Sequence, residues 1–266
     1  MPDLSQFVLA LLVGVATGVM SGMFGVGGAI ISTPGIRALG ATPLQAVGST
    51  LPSVIPSSIS GTIRYARAGL IRWDVFAWVA PIGAVASVAG ALLTAVIPGD
   101  GHPLMLATAA LVGITAVRLA RPVQTVELDL DGETVDVAPH PRDEAWRLLV
   151  TGLAAGGLSG LLGIGGGLLL VPVFVGVIRL PLKVALGTSL ACVGVLAIPG
   201  TITHTLLGHI DWAYAIPLAI GVIPGAQVGA LLAIRASDRV LRIVVASVLG
   251  AIALVYFVGE LRGLLT

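Results

Sequence analysis

The chain has 266 residues, of which 56% are hydrophobic and only 10% charged, with 14 basic against 13 acidic side chains. A soluble domain carries roughly 25% charged residues, and a chain of this length cannot bury nearly all its helices on every side, so a water-soluble globule is excluded. The single Cys192 excludes an intramolecular disulfide and a cysteine-based metal cluster.

Charge-free stretches run 4–36, 38–63, 75–99, 101–117, 148–178, 184–210, 212–234 and 243–259. About 20 apolar residues cross a bilayer, so the expected class is an all-α polytopic protein of the cell membrane, with the lipid bilayer as its surroundings. The opening "MPDLSQFVLALLVG" has no basic residue before its apolar run and no small-residue cleavage site after it, so it reads as a membrane segment rather than a signal peptide. Segments are expected near 4–22, 28–40, 43–63, 74–97 and 103–119, and again near 145–162, 167–179, 182–205, 212–234 and 239–259. Those at 28–40 and 167–179 are too short to span. Between the two sets, eleven of the 27 charged residues fall from Arg118 to Arg147. Within that insert "TVELDLDGETVDVA" alternates around Asp131-Gly132, a β-hairpin signal. The expected organisation is a first membrane repeat at 1–119, a hydrophilic linker at 120–143 and a second repeat at 144–266.

The halves are related. Gly14–Pro34 placed on Gly152–Pro172 gives nine identities in 21 positions, and after a one-residue shift Ala46, Gly48, Gly69, Ile71, Trp73 and Gly90 match Ala185, Gly187, Gly208, Ile210, Trp212 and Gly229. Basic residues mark inside loops: Arg64, Arg67 and Arg72; Arg118, Arg121, Arg142 and Arg147; Arg235, Arg239 and Arg242. The loop at 64–72 is then inside and its repeat partner at 203–211 outside, so the repeats are expected to have inverted topology, a recurring transporter plan.

As one helix, residues 4–36 would be about 50 Å long against a hydrocarbon core of about 30 Å. The chain must break, and it does so cheaply at Gly25, Gly27 and Gly28, and at Gly163, Gly165, Gly166 and Gly167. Pro34 and Pro172 are expected to kink the segments that follow. Broken backbone inside a bilayer is tolerated where it is buried in protein or lines a polar cavity, and a helix beginning just after the break offers free N–H groups to an anion. Two such discontinuous helices are expected to meet near the midplane.

The duplicated "GVGGAIISTP" and "GIGGGLLLVP", followed by "ATPLQAVGST" and "LPLKVALGTSLA", then "YARAGLIRWD" and "LLGHIDWAYAIPLAIGVIPGAQVGA", resemble the TauE/SafE family. The resemblance covers both repeats. It implies a membrane permease of the kind described as a sulfite or organosulfonate exporter. The first repeat departs from the pattern, with Ala29 for the last glycine of the GxGGG run and Ser49-Thr50 where the second has Thr188-Ser189.

The expected substrate site therefore combines the glycine breaks with the hydroxyls of Ser21, Ser49, Thr50, Ser159, Thr188 and Ser189, which can donate to sulfur oxyanion or sulfonate oxygens. Arg37, Arg179 and Lys183 lie nearest the breaks and could attract the anion; His204 could titrate and couple pH to transport; Gln227 could offer an amide. No Asp or Glu lies deep in a predicted span, which argues against a carboxylate proton relay. The expected function is a secondary transporter for a small anion, with no catalytic residues, metal, cofactor or nucleic-acid partner. An anion channel could use the same half-helices. An intramembrane serine protease would read "GLSG" at 157–160 as its nucleophile motif, with Ser159 and His204 as the pair, but Ser159 has a twin in Ser21 whereas His204 aligns with Tyr65.

Overall fold

The computed structural model describes residues 4–94, 145–163, 165–241 and 243–248, together with residues 110, 113, 114, 117, 250, 251 and 254. Among the described residues, eight helices have defined bounds: α1 (Leu4–Phe24), α2 (Ala29–Ala38), α3 (Pro43–Arg67), α4 (Trp73–Leu93), α5 (Ala145–Leu162), α6 (Gly167–Gly176), α7 (Leu182–Leu206) and α8 (Trp212–Arg235). The described residues of the expected segments 103–119 and 239–259 are helical as well. The hairpin expected at 120–143 lies outside the described residues.

Local chemistry sets the helix ends. Thr42 and Gln45 form a reciprocal capping box on α3, Gln45 N–H donating to Thr42 Oγ1 at 3.3 Å and Thr42 N–H to Gln45 Oε1 at 3.2 Å, with Pro43 in the first turn. Asp211 caps α8 by accepting from Ala213 N–H at 2.9 Å. At the other end, α3 runs past the charge-free stretch to place Arg64 and Arg67 in its last turn, where cations suit the negative end of the dipole. Pro34 and Pro172 lie inside α2 and α6.

α1, α4, α5, α7 and α8 are each long and apolar enough to cross a membrane. α3 is as long as α7, at 25 residues, but Ser53, Ser57, Ser58 and Ser60 make it more polar. α2 and α6 have ten residues each, about 15 Å, half a hydrocarbon core. The outer faces carry exposed apolar side chains, among them Leu12, Val85, Trp146 and Ile220. Such a surface suits lipid rather than water. With these spans, the protein is a multi-pass membrane protein.

The long helices follow one another in the spatial order α1, α8, α3, α7, α4, α5. The first helix of each half thus packs on the fourth helix of the other. Small residues permit these close approaches. Gly14, Gly18 and Gly22 of α1 face Leu218, Val222 and Ala226 of α8, while Gly152, Gly156 and Gly160 of α5 face Val79, Gly83 and Ser87 of α4. A side chain on Gly156 would strike the Gly83 carbonyl, whereas one on Gly157 would meet open space. Gly156→Val should therefore lower the apparent melting temperature of the detergent-purified protein by several degrees, since overpacking costs roughly 1–3 kcal/mol or more. Gly157→Ala should leave it unchanged or raise it slightly, by up to about 1 kcal/mol of helix propensity.

Candidate functional site

Each half breaks in the same way. α1 ends at Phe24, and Gly25, Gly27 and Gly28 take φ of 67°, 84° and 80° before α2 begins. α5 ends at Leu162, and Gly163, Gly165 and Gly166 take φ of 67°, 79° and 74° before α6 begins. Any L side chain in this left-handed region costs roughly 1–2 kcal/mol, which is why the sequence repeats glycine here. Gly167 differs from expectation: it is the first residue of α6 rather than part of the turn, and its missing Cβ serves close approach, because a Cβ there would strike Val26 and lie 2.7 Å from the Gly25 carbonyl oxygen.

The two turns abut. A Cβ on Gly165 would lie 3.6 Å from the Val26 carbonyl oxygen, between Val54 of α3 and Val193 of α7. No side chain caps α2 or α6. Ile31 N–H donates to the Gly28 carbonyl at 3.0 Å and Leu169 N–H to the Gly166 carbonyl at 3.1 Å. The N-terminal ends of both short helices, with their positive dipole, are thus left without a side-chain acceptor.

Four of the expected site hydroxyls brace this junction reciprocally. Thr50 Oγ1 donates across to the Gly163 carbonyl at 3.4 Å while also reaching Val47 O at 2.9 Å, and Ser189 Oγ donates to the Gly25 carbonyl at 2.7 Å. Ser49 Oγ accepts from Asp211 N–H at 2.8 Å, and Thr188 Oγ1 accepts from Arg72 N–H at 2.9 Å. Each half thereby fixes the turn and the interhelical loop of the other. Ser21 and Ser159 differ from one another. Ser21 Oγ accepts from Ser57 Oγ at 2.7 Å, whereas Ser159 Oγ is buried with no hydrogen-bond partner. Leu196 stands at the repeat position of Ser57.

His204 Nε2 lies 2.9 Å from the Gly160 carbonyl oxygen, and its Nδ1 lies 3.1 Å from His209 Nδ1. A carbonyl only accepts, so Nε2 carries the proton and the neutral ring offers its Nδ1 lone pair to His209. Tyr65, the repeat partner of His204, does the same work in the first half, donating from its hydroxyl to the Gly22 carbonyl at 2.9 Å. Ser159 and His204 are not hydrogen-bonded to one another, so the dyad required by a serine protease is not formed.

The remaining expected groups lie elsewhere. Lys183 Nζ donates to the Ile234 carbonyl at 3.0 Å, at the end of α8, with Asp238 at 3.9 Å. Arg179 is exposed, in a left-handed conformation (φ 59°) between α6 and α7. Arg37 is in the last turn of α2, and Gln227 is exposed on α8. Sequence reasoning missed Thr17, Ser57, Tyr65 and His209. The repeat alignment held the signal for Thr17 and Ser57, since their second-half counterparts, Ala155 and Leu196, are apolar.

A family model described as sulfite exporter TauE/SafE matches residues 10–256. A probable membrane transporter protein of Xylella fastidiosa (strain 9a5c) is 30% identical over 238 residues, covering 85% of this chain and 83% of the relative. The probable membrane transporter protein YunE of Bacillus subtilis is 26% identical over 85% of this chain and 88% of its own length. A probable membrane transporter protein of Methanocaldococcus jannaschii is 25% identical over 92% of this chain and 93% of its own length. No solved structure matches. With a shared model spanning nearly both repeats and relatives aligned over most of their length, the chain belongs to the TauE/SafE family.

Proposed function

We propose that the protein is a secondary transporter that moves a small anion, sulfite or an organosulfonate, by alternating access of two inverted repeats. The observation that carries this reading is the contact between two left-handed glycine turns, each opening an uncapped short helix. Backbone N–H groups and two dipole ends then converge on one place, which suits a negative ligand. The relatives' names support transport, and the family model's description as a sulfite exporter supports the choice of a sulfur oxyanion.

In this reading Gly25, Gly27, Gly28, Gly163, Gly165, Gly166 and Gly167 let the ligand approach the backbone, and Ser21 and Ser159 add hydroxyls. Ser49, Thr50, Thr188 and Ser189 act through the turns and loops they hold. Residues 1–119 and 144–266 rock around the site, joined by the linker at 120–143, with the basic loops inside. The α1–α8 and α4–α5 contacts, glycine against backbone, are interfaces between opposite halves at which that motion is accommodated. The His204–His209 pair is the coupling point. It holds one proton between two Nδ1 atoms; a second proton on His209 Nε2 keeps that bond and places a positive charge beside the end of α7, whereas one on His204 Nδ1 breaks it.

Reconstituted into proteoliposomes, the wild type should show saturable sulfite uptake that taurine or sulfoacetate suppresses; absence of flux under several pH gradients would remove the substrate assignment. Gly165→Val, which places a β-branched side chain at φ 79° against Val193, should insert into the membrane and carry no flux. Wild-type flux from that variant would sink the proposed site. The histidine pair makes a separate prediction. Burial holds His209 below its ordinary value of 6.5. Between that lowered value and 6.5 the unfolded chain binds more protons than the folded one, so the contribution is full above pH 6.5 and is lost as pH falls through it. The apparent melting temperature should drop on acidification from pH 7.5 to 5, and His209→Gln should flatten that drop.

A further inference from the structure

The two halves match in backbone but not in polarity. Thr17 and Ser21 pack onto Gly28, the N-cap of α2: a Cβ there would lie 2.6 Å from Thr17 Cγ2 and 3.0 Å from Ser21 Cβ. Ser57 joins them through its hydrogen bond to Ser21. At Gly166, the N-cap of α6, a Cβ would lie 2.5 Å from the Ala155 carbonyl oxygen, as one at Gly28 would lie 2.7 Å from the Thr17 carbonyl oxygen, and 3.2 Å from Leu196 Cδ2; the two ends share the carbonyl and differ in the side chains around it. Ala155 and Leu196 are the repeat equivalents of Thr17 and Ser57.

The hydroxyls on the polar side are underused. Thr17 and Ser32 are fully buried, Thr33 is 2% exposed, and none of the three has a hydrogen-bond partner. Ser21 only accepts from Ser57, which leaves its own proton to donate. Elsewhere in these helices hydroxyls commonly satisfy themselves on a carbonyl one turn back, as Ser53, Thr151 and Thr203 do. A buried hydroxyl without a partner costs roughly 1–3 kcal/mol, so several gathered around one uncapped helix end are donors waiting for an acceptor. In the second half Leu170 and Val171 replace Ser32 and Thr33. The serine-rich character of α3, absent from α7, extends the same asymmetry.

We infer that the anion is bound one-sidedly: the N-terminal end of α2, with the hydroxyls of Thr17 and Ser21 and with Ser57 orienting Ser21, forms the oxyanion subsite, and the matching end of α6, where Ser159 answers Ser21 but Ala155, Leu196, Leu170 and Val171 are apolar, is the less polar wall against which the rest of the ligand rests. This rests on the transporter reading and assigns Thr17 as a binding residue and Ser57 as the positioning residue that turns the Ser21 proton toward the ligand. Sulfite or sulfonate oxygens have only lone pairs to offer, and this side supplies hydroxyl donors beside open amides. The inferred division makes the second repeat a structural mirror and a chemical contrast.

The test measures sulfite and ethanesulfonate binding to the detergent-purified protein by calorimetry, and flux of both in proteoliposomes. Thr17→Val keeps the shape and removes an unpartnered hydroxyl, so it should leave the ligand-free melting temperature equal or higher while weakening binding by about tenfold. A merely structural role would not separate those two readouts. Ser57→Ala should weaken binding similarly, and Ser159→Ala less than either. Thr201→Val removes another unpartnered buried hydroxyl, about 18 Å along α7 from Ser189, and should bind as the wild type does. Unchanged binding in Thr17→Val, or an equal or larger loss in Ser159→Ala, would overturn the one-sided subsite. Binding without flux in the wild type would overturn the carrier reading and leave the subsite standing, whereas neither binding nor flux would overturn both.

Discussion

The structure turns on a contact between two pieces of backbone. Gly25, Gly27 and Gly28 adopt nearly the same left-handed geometry as Gly163, Gly165 and Gly166, and the turns meet so closely that Gly167 sits against Val26 and Gly165 near the Val26 carbonyl. Such a junction leaves peptide groups deep in an apolar bundle, where each unsatisfied one costs several kcal/mol. Two devices offset that. Gly25 and Gly163 donate back to Ser21 and Ser159 carbonyls at 2.9 and 3.0 Å, closing α1 and α5. Ser189 and Thr50 then reach across to the Gly25 and Gly163 carbonyls from the other half. Neither half can satisfy its own turn alone.

The exchange extends outward. α1 packs on α8 and α5 on α4, each pair joining opposite halves, while α3 and α7 meet between them. Loops follow the same rule: Asp211 N–H, at the start of α8, is held by Ser49 of α3, and Arg72 N–H, at the start of α4, by Thr188 of α7. Tyr65 and His204 add a matching tie inside each half, one on each carbonyl that precedes a turn, at Gly22 and Gly160. Because the Ser49, Thr50, Thr188 and Ser189 ties cross between halves, a shift in one half changes the geometry at the other's turn. That is the mechanical property a rocking carrier requires.

Much of this architecture was legible in the sequence for one reason: charge and glycine are expensive in a bilayer, so their positions are informative. Charge-free runs located the long helices, and the glycine clusters divided the runs 4–36 and 148–178 into a long and a short helix each. The helix ends were less legible, since α3 continues past its first charge to place Arg64 and Arg67 on its C-terminal dipole. Gly167 was misplaced into the turn because composition cannot separate a glycine needed for φ from one needed for close approach. The site was harder still. Ser49, Thr50, Thr188 and Ser189 were recognisable as polar groups near a break, but their partners lie more than 100 residues away in the other half. His209 was not expected at all, since its partnership with His204 follows from how the chain turns after Leu206.

Pseudo-symmetry explains the fold, and departures from it carry the chemistry. Where the halves agree, as in the glycine turns and the small-residue helix contacts, the common requirement is geometric and the residues have little freedom. Where they differ, geometry has been met twice and one copy is free to change. Thr17 against Ala155, Ser57 against Leu196, Ser32 against Leu170 and Tyr65 against His204 are all differences of this kind. The first three add polarity beside the α2 end beyond the Ser21 and Ser159 that both halves share, although burying an unpartnered hydroxyl, as at Thr17 and Ser32, destabilises the protein. The fourth puts a titratable ring where the other half has a phenol, at the far end of the same interhelical tie. A carrier built from two equal halves would treat its two faces alike; in the proposed reading these substitutions divide anion binding and proton uptake between the halves.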